Sequence, residues 1–221
     1  MRLIIHTSPN ESFVDKYYQP KQKGTLHKWL GGDDYHGDIS LYSFSKLNKA
    51  VYRRNGQIDF PQGAKWFISS QDRNFLERIV EGIQEDPSMF NGLTVESVQL
   101  KTDPVFEQTN KFLCASPIFV KQERTQDRGF EHLTWEDEKS DEVMTDLMKK
   151  KLSMAGLSND ISIAFDRSYN RANTTLISYR NIKNRANVCP VIISGDQEAV
   201  QFAYNVGVGH STGIGFGAIE I

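Results

Sequence analysis

Apolar positions along this chain follow two spacings, one every second residue and one every third or fourth, and the switches between them mark its elements. RLIIHT predicts a short strand, and residues 21–30 a short helix interrupted by Gly24 and closed by Gly31-Gly32. SLYSFSKLNKAVYRR reads as an extended run, and Asn55-Gly56 after it is a hairpin signal, because both residues tolerate the positive φ of a tight turn. QIDF and KWFIS continue as strands. In SQDRNFLERIVEGIQED, Phe75, Leu76, Ile79, Val80 and Ile83 share one helical face, and LTVESVQL alternates as a half-buried strand does.

The order then repeats. KFLCASPIFVK predicts a strand, and SDEVMTDLMKKKLSMAGL a helix capped by Ser140, with acids early and lysines late as the helix dipole favours. ISIAFDRS and TTLISYRNIK predict a hairpin pair, and VCPVIISG another strand. DQEAVQFAYNVG predicts a helix with Ala199, Phe202, Ala203 and Val206 inward and Gly207 as its stop; FGAIEI closes the chain as a strand. Two successive strand-helix-strand-strand-helix-strand units predict an α+β protein of two tandem ferredoxin-like domains, 1–105 and 106–221, with a glycine-rich loop before the last strand.

Composition changes this picture little. The 221 residues suffice for two such cores, and 38% hydrophobic with 24% charged residues is ordinary for a globular protein. MRLIIHTSPNESF has too short an apolar run for a signal peptide and no stretch is long enough to span a bilayer, so a cytoplasmic location without membrane contact is expected. Cys114 and Cys189 lie among apolar or small neighbours, and buried reduced thiols are expected of them. No metal-ligand spacing is visible and no cofactor is expected.

Charge is segregated although the net charge is only -2. EHLTWEDEKSDEVMTD holds seven acids and one lysine, which makes its His132 a poor place to meet a phosphate. DRSYNRANTTLISYRNIKNRAN carries Arg167, Arg171, Arg180, Lys183 and Arg185 against Asp166 alone. Each run reads as a solvated face; the second also permits a basic groove.

In the ending GVGHSTGIGFGAIEI, GHSTG matches the G-x-S-x-G of a hydrolase elbow, but no helix and no later histidine follow Ser211, so a nucleophilic serine is not expected. The glycine spacing fits neither a dinucleotide fingerprint nor a Walker A loop. What remains is a loop of mostly backbone.

That ending, FAYNVGVGHSTGIGFG, with ASPIFV in mid-chain and LYSFSKL after a histidine near the front, resembles the CRISPR-associated repeat-RNA endoribonucleases, the sixth Cas group of the RAMP superfamily. The resemblance implies metal-independent cleavage of CRISPR repeat RNA by the RNA's own 2′-hydroxyl, leaving a 2′,3′-cyclic phosphate and a 5′-hydroxyl. It implies His36 as general acid or base, Tyr18 beside it, and Lys46 as phosphate-stabilising group, since Ser40 stands where a lysine is usual. It implies RNA contacts from Arg167, Arg171, Arg180, Lys183 and Arg185 and from a loop made of Gly207, Gly209, His210, Ser211, Thr212, Gly213 and Gly215, the glycines letting backbone approach a phosphate. Relatives that bind RNA and cut nothing share such a loop, so a non-catalytic subunit of a CRISPR effector complex is the alternative. Effector subunits and a second copy of the chain stay open as partners beside the RNA.

Overall fold

Both faces of the first strand are covered, and that sets the architecture. In the computed structural model, which describes residues 1–32, 39–54, 56–124 and 129–221, Leu3 and Ile5 of β1 (Arg2–Thr7) join one core while Ile4 joins Phe67, Ala115 and Ala218 in another. The first half continues as β2 (Val14–Asp15), α1 (Gln19–Leu30), β3 (Tyr42–Phe44), β4 (Val51–Tyr52), β5 (Gln57–Asp59), β6 (Lys65–Ser70), α2 (Arg73–Glu85) and β7 (Val95–Lys101). Its main sheet has the order β3-β6-β1-β7, and β2, β5 and β4 form a small sheet beside it. The predicted inward residues of α2 meet α1: Phe75, Leu76, Ile79 and Ile83 are buried with Leu26, Trp29 and Leu30.

The second half comprises β8 (Thr109–Cys114), β9 (Val120–Glu123), β10 (Phe130–Leu133), α3 (Lys139–Met154), β11 (Ile161–Phe165), β12 (Asn173–Tyr179), β13 (Ile182–Val188), β14 (Val191–Gly195), α4 (Gln197–Val206) and β15 (Ile219–Glu220). Its main sheet has the order β11-β14-β8-β15, with β9–β10 and β12–β13 as separate hairpins. Apart from the hairpins, each sheet places its second, third, first and fourth strands side by side, all antiparallel, as the mixed α/β ferredoxin-like arrangement requires. The helix-free face of the first sheet packs against α4 and the residues leading into β15: Ser43 and Ser69 hydrogen-bond Asn205 of α4, and Ile4 and Phe67 meet Ala115 and Ala218. Arg2 is buried there, its guanidinium 3.4 Å from the Tyr204 ring centroid and donating to the carbonyls of Tyr204 at 2.7 Å and Ile219 at 2.6 Å.

Three expectations are corrected. KFLCASPIFVK is not one strand but β8 and the start of β9, broken at Ser116-Pro117, because Pro117 has no N–H for a ladder and the Ser116 hydroxyl instead accepts from Ala218 N–H. Ser140 is not the cap of α3. Its hydroxyl donates back to the Asp137 carbonyl at 2.6 Å, while the Asp137 carboxylate takes the Thr134 N–H and hydroxyl, so the chain turns before the helix begins. ISIAF does not pair with TTLISY. β11 pairs with β14, and β12 pairs with β13 through Arg180-Asn181, whose φ values of 48° and 67° are those of the two-residue turn matching strand twist.

Candidate functional site

The glycine-rich turn between α4 and β15 is packed between the two halves of the molecule. Gly207, Gly209, Gly213 and Gly215 are buried, and the close approach their lack of a side chain permits is to the protein itself. A Cβ on Gly213 would stand 2.2 Å from the Ser40 hydroxyl oxygen, and one on Gly217, at φ +68°, only 1.9 Å from the Val208 carbonyl oxygen. The Tyr42 hydroxyl donates to the Gly213 carbonyl at 3.3 Å, and the Thr212 hydroxyl to that of Ser40 at 3.4 Å. His210, Ser211 and Ile214 of the turn keep some exposure, and Ser211 is exposed.

A cavity of about 140 Å³ opens beside His210 and Ser211, lined by Ile39, Ser40, Lys121, Leu147, Lys151 and residues 209–212. Four separate elements build it: the segment entering β3, β9, α3 and the turn. Lys151 is 3% exposed, and its ammonium donates to the Gly207 carbonyl and the Thr212 hydroxyl, both at 3.4 Å. Both acceptors are neutral, and burial lowers the Lys151 pKa to about 7. His210 is pushed down to about 4, by burial first and then by the charges of Lys121 and Lys151, so it is uncharged at neutral pH.

Beyond the cavity mouth lies a cationic surface. Arg180, Lys183 and Arg185 project from the β12–β13 hairpin, whose inner residues Ile177 and Ala186 pack with Phe119 and Phe216 against the turn. At its tip Arg180 depresses the pKa of Lys23 on α1, after burial. On its flank the Arg185 N–H donates to His132 at 3.3 Å, and His132 is held below its usual pKa by burial and by Lys121, Arg185 and Arg124. The expectation that His132 keeps acidic company is therefore wrong: strand pairing sets it beside Lys121 and Arg124 from β9 and its end, and beside Arg185 of β13.

The predicted site residues divide clearly. His36 lies outside the described residues, although Ile39 and Ser40, which follow it closely, line the cavity. Tyr18 is 5% exposed, its hydroxyl accepting from Leu47 N–H at 3.0 Å and its pKa raised by burial, a packing role within the first core. Lys46 is half-buried near Cys114 at the seam between the sheets, its own N–H donating to the Ala115 carbonyl, and it does not line the cavity. Arg167 is taken up by Asp141 at 2.6 Å and by the Asp137 carbonyl at 3.1 Å, which separates it from the hairpin cations. Arg171 is exposed ahead of the hairpin.

Sequence reasoning missed Lys23, Lys121 and Lys151. The signal for Lys151 was present: Met144, Met148 and Lys151 fall on one helical face, which puts this lysine, unlike Lys150, at a core position.

The architecture is one that solved structures share. It superposes on the solved structure of a RAMP protein binding different RNA substrates with a TM-score of 0.86 at 18% identity, over 100% of this chain and 98% of that one. Residues 100–221 match the family model described as CRISPR associated protein Cas6, C-terminal, and the chain belongs to the Cas6 family. Among its relatives is CRISPR-associated endoribonuclease Cas6 1 of Methanocaldococcus jannaschii, 25% identical over 182 residues, 80% of this chain and 71% of that protein. A Cas6 endoribonuclease-like protein of Pyrococcus furiosus is 24% identical over 163 residues, 70% of this chain and 66% of that one.

Proposed function

We propose that this protein is an endoribonuclease that binds CRISPR precursor RNA and cuts it within the repeats, without a metal ion. The 2′-oxygen of one nucleotide forms a bond to the adjacent phosphorus while the bond from phosphorus to the 5′-oxygen breaks. The products are a 2′,3′-cyclic phosphate and a 5′-hydroxyl. One proton must leave the attacking hydroxyl and another reach the departing oxygen, and His36 carries one of these transfers, as an imidazole titrating near neutral pH can. The hairpin cations Arg180, Lys183 and Arg185, with Lys121, hold the RNA backbone across the exposed His210-Ser211 edge of the turn.

The observation that carries this reading is convergence at one cavity mouth. The residues that follow His36, the exposed part of the glycine-rich turn and cations from β9 and α3 come together there, with Arg185 of the β12–β13 hairpin acting on His132 alongside Lys121, on a fold shared with an RNA-binding protein. The test is incubation of end-labelled repeat RNA with purified protein in EDTA, beside RNA carrying one 2′-deoxy substitution at the attacking nucleotide. Cleavage of the first and binding without cleavage of the second are expected. A strict need for added magnesium contradicts the mechanism, and binding without any cleavage makes the protein an RNA-binding subunit.

A further inference from the structure

Lys151 has no use in the proton transfers above, yet it occupies an unusual place. A lysine whose side chain is wholly buried loses the hydration of its charge, and such groups are kept when something repays that loss. Here the two protein contacts are long and neutral, and among the described residues no carboxylate lies within ion-pair distance of its ammonium. The side chain instead borders the cavity, where hydroxyls of Ser40, Ser211 and Thr212 surround the same space. A cation at the base with hydroxyl donors around it is complementary to a tetrahedral oxyanion. His210 at the mouth is uncharged and donates no competing charge, and the neighbouring Lys121 favours an anion's entry. Walls from four elements hold these groups at fixed separations.

We propose that this cavity is a phosphate-binding site, with Lys151 as counter-ion for a single backbone phosphate of the bound RNA. The assignment to RNA rests on the reading given under Proposed function; the affinity for phosphate does not. A phosphate in the cavity takes hydrogen bonds from the hydroxyls and restores a full positive charge to Lys151, so binding takes up a proton near neutral pH.

The probe is inorganic phosphate. Thermal unfolding of the whole chain is followed at pH 6.5 in increasing phosphate against sodium chloride of equal ionic strength, for wild type, Lys151→Met and Lys151→Gln. Wild type should show a saturable phosphate-specific rise in Tm, and both variants should lose it. For repeat RNA, each variant should also bind with a salt slope smaller by about 0.7, one contact's worth for single-stranded RNA. An equal phosphate response in a folded variant overturns the site, and Lys151→Gln, which keeps a polar, uncharged side chain at this position, decides the matter if the methionine variant does not fold. If the phosphate response depends on Lys151 while no RNA is cut, the cleavage reading fails and the site stands. If RNA is cut normally while the variants keep the phosphate response, only this inference fails.

Discussion

The hydroxyl of Tyr42 donates to the carbonyl of Gly213 at 3.3 Å, joining β3 to the glycine-rich turn 171 positions away. Tyr42 is itself fixed by stacking on Phe75, ring centroids 4.7 Å apart, and burial pushes its pKa up to about 12, so the phenol stays a donor at any working pH. The turn is thus a structural joint first, and its exposed edge is what remains for a ligand.

The joint makes the glycines sensitive in a specific way. Gly217→Ala adds a Cβ against the Val208 carbonyl at a left-handed φ, which alone costs about 1–2 kcal/mol, with the steric shift added. Thermal unfolding should drop by about 4 °C or more, while Ser211→Ala, altering an exposed side chain, should leave it nearly unchanged. Equal Tm for Gly217→Ala and wild type contradicts the packing described.

Tyr18→Phe should behave as a core substitution. It removes the acceptor of the Leu47 N–H and leaves that buried donor unsatisfied, at a cost of about 1–3 kcal/mol in denaturant unfolding. The cleavage rate of the folded variant should equal that of wild type; a rate falling 100-fold or more would return Tyr18 to the chemistry.

Removing charge at Arg180, Lys183, Arg185 and Lys121 should weaken RNA binding and reduce the slope of log K against log salt by about 0.7 per lost phosphate contact. Arg167→Ala should leave the slope alone, because its guanidinium is occupied by Asp141, and should change stability by about 1 kcal/mol or less, as exposed ion pairs do. Filter binding at several salt concentrations separates the two groups.

Stability should rise with pH through the titration of Lys151. Its folded pKa of about 7 lies below the ordinary lysine value, so between about pH 7 and 10 the unfolded chain binds the extra proton. The penalty of burying the charge is complete below that window and relieved across it, at up to about 1.4 kcal/mol per pH unit. Comparing wild type with Lys151→Met isolates this slope from other groups; the variant should be the more stable at pH 6 and the difference should shrink toward pH 10. A constant difference contradicts the burial of a titrating amine.

The regular elements were legible because a single helix face or strand alternation carries its own information. Phe75, Leu76, Ile79 and Ile83 read correctly from spacing alone, and so did Gly31 and Gly207 as helix stops. Strand partners were not, since β11 and β12 are equally good neighbours by pattern and only the Arg180-Asn181 turn selects β13 for β12. The site was half legible for the same reason. Motifs point to the glycine turn and to His36, which lies outside the described residues, but Lys121, Lys151 and the surroundings of His132 come from elements brought together in space, and local charge counts pointed the wrong way for His132. Glycine spacing showed that something approaches the backbone closely without saying that Val208 and Ser40 do.

The most direct measurement is single-turnover cleavage of repeat RNA in EDTA by wild type and His36→Ala, with product ends identified by phosphatase and kinase treatment. The account predicts a 2′,3′-cyclic phosphate and a 5′-hydroxyl, a rate reduced about 10² to 10⁴-fold in the variant, and unchanged RNA affinity. A variant that cuts as fast as wild type, or products ending in 5′-phosphate, would contradict it.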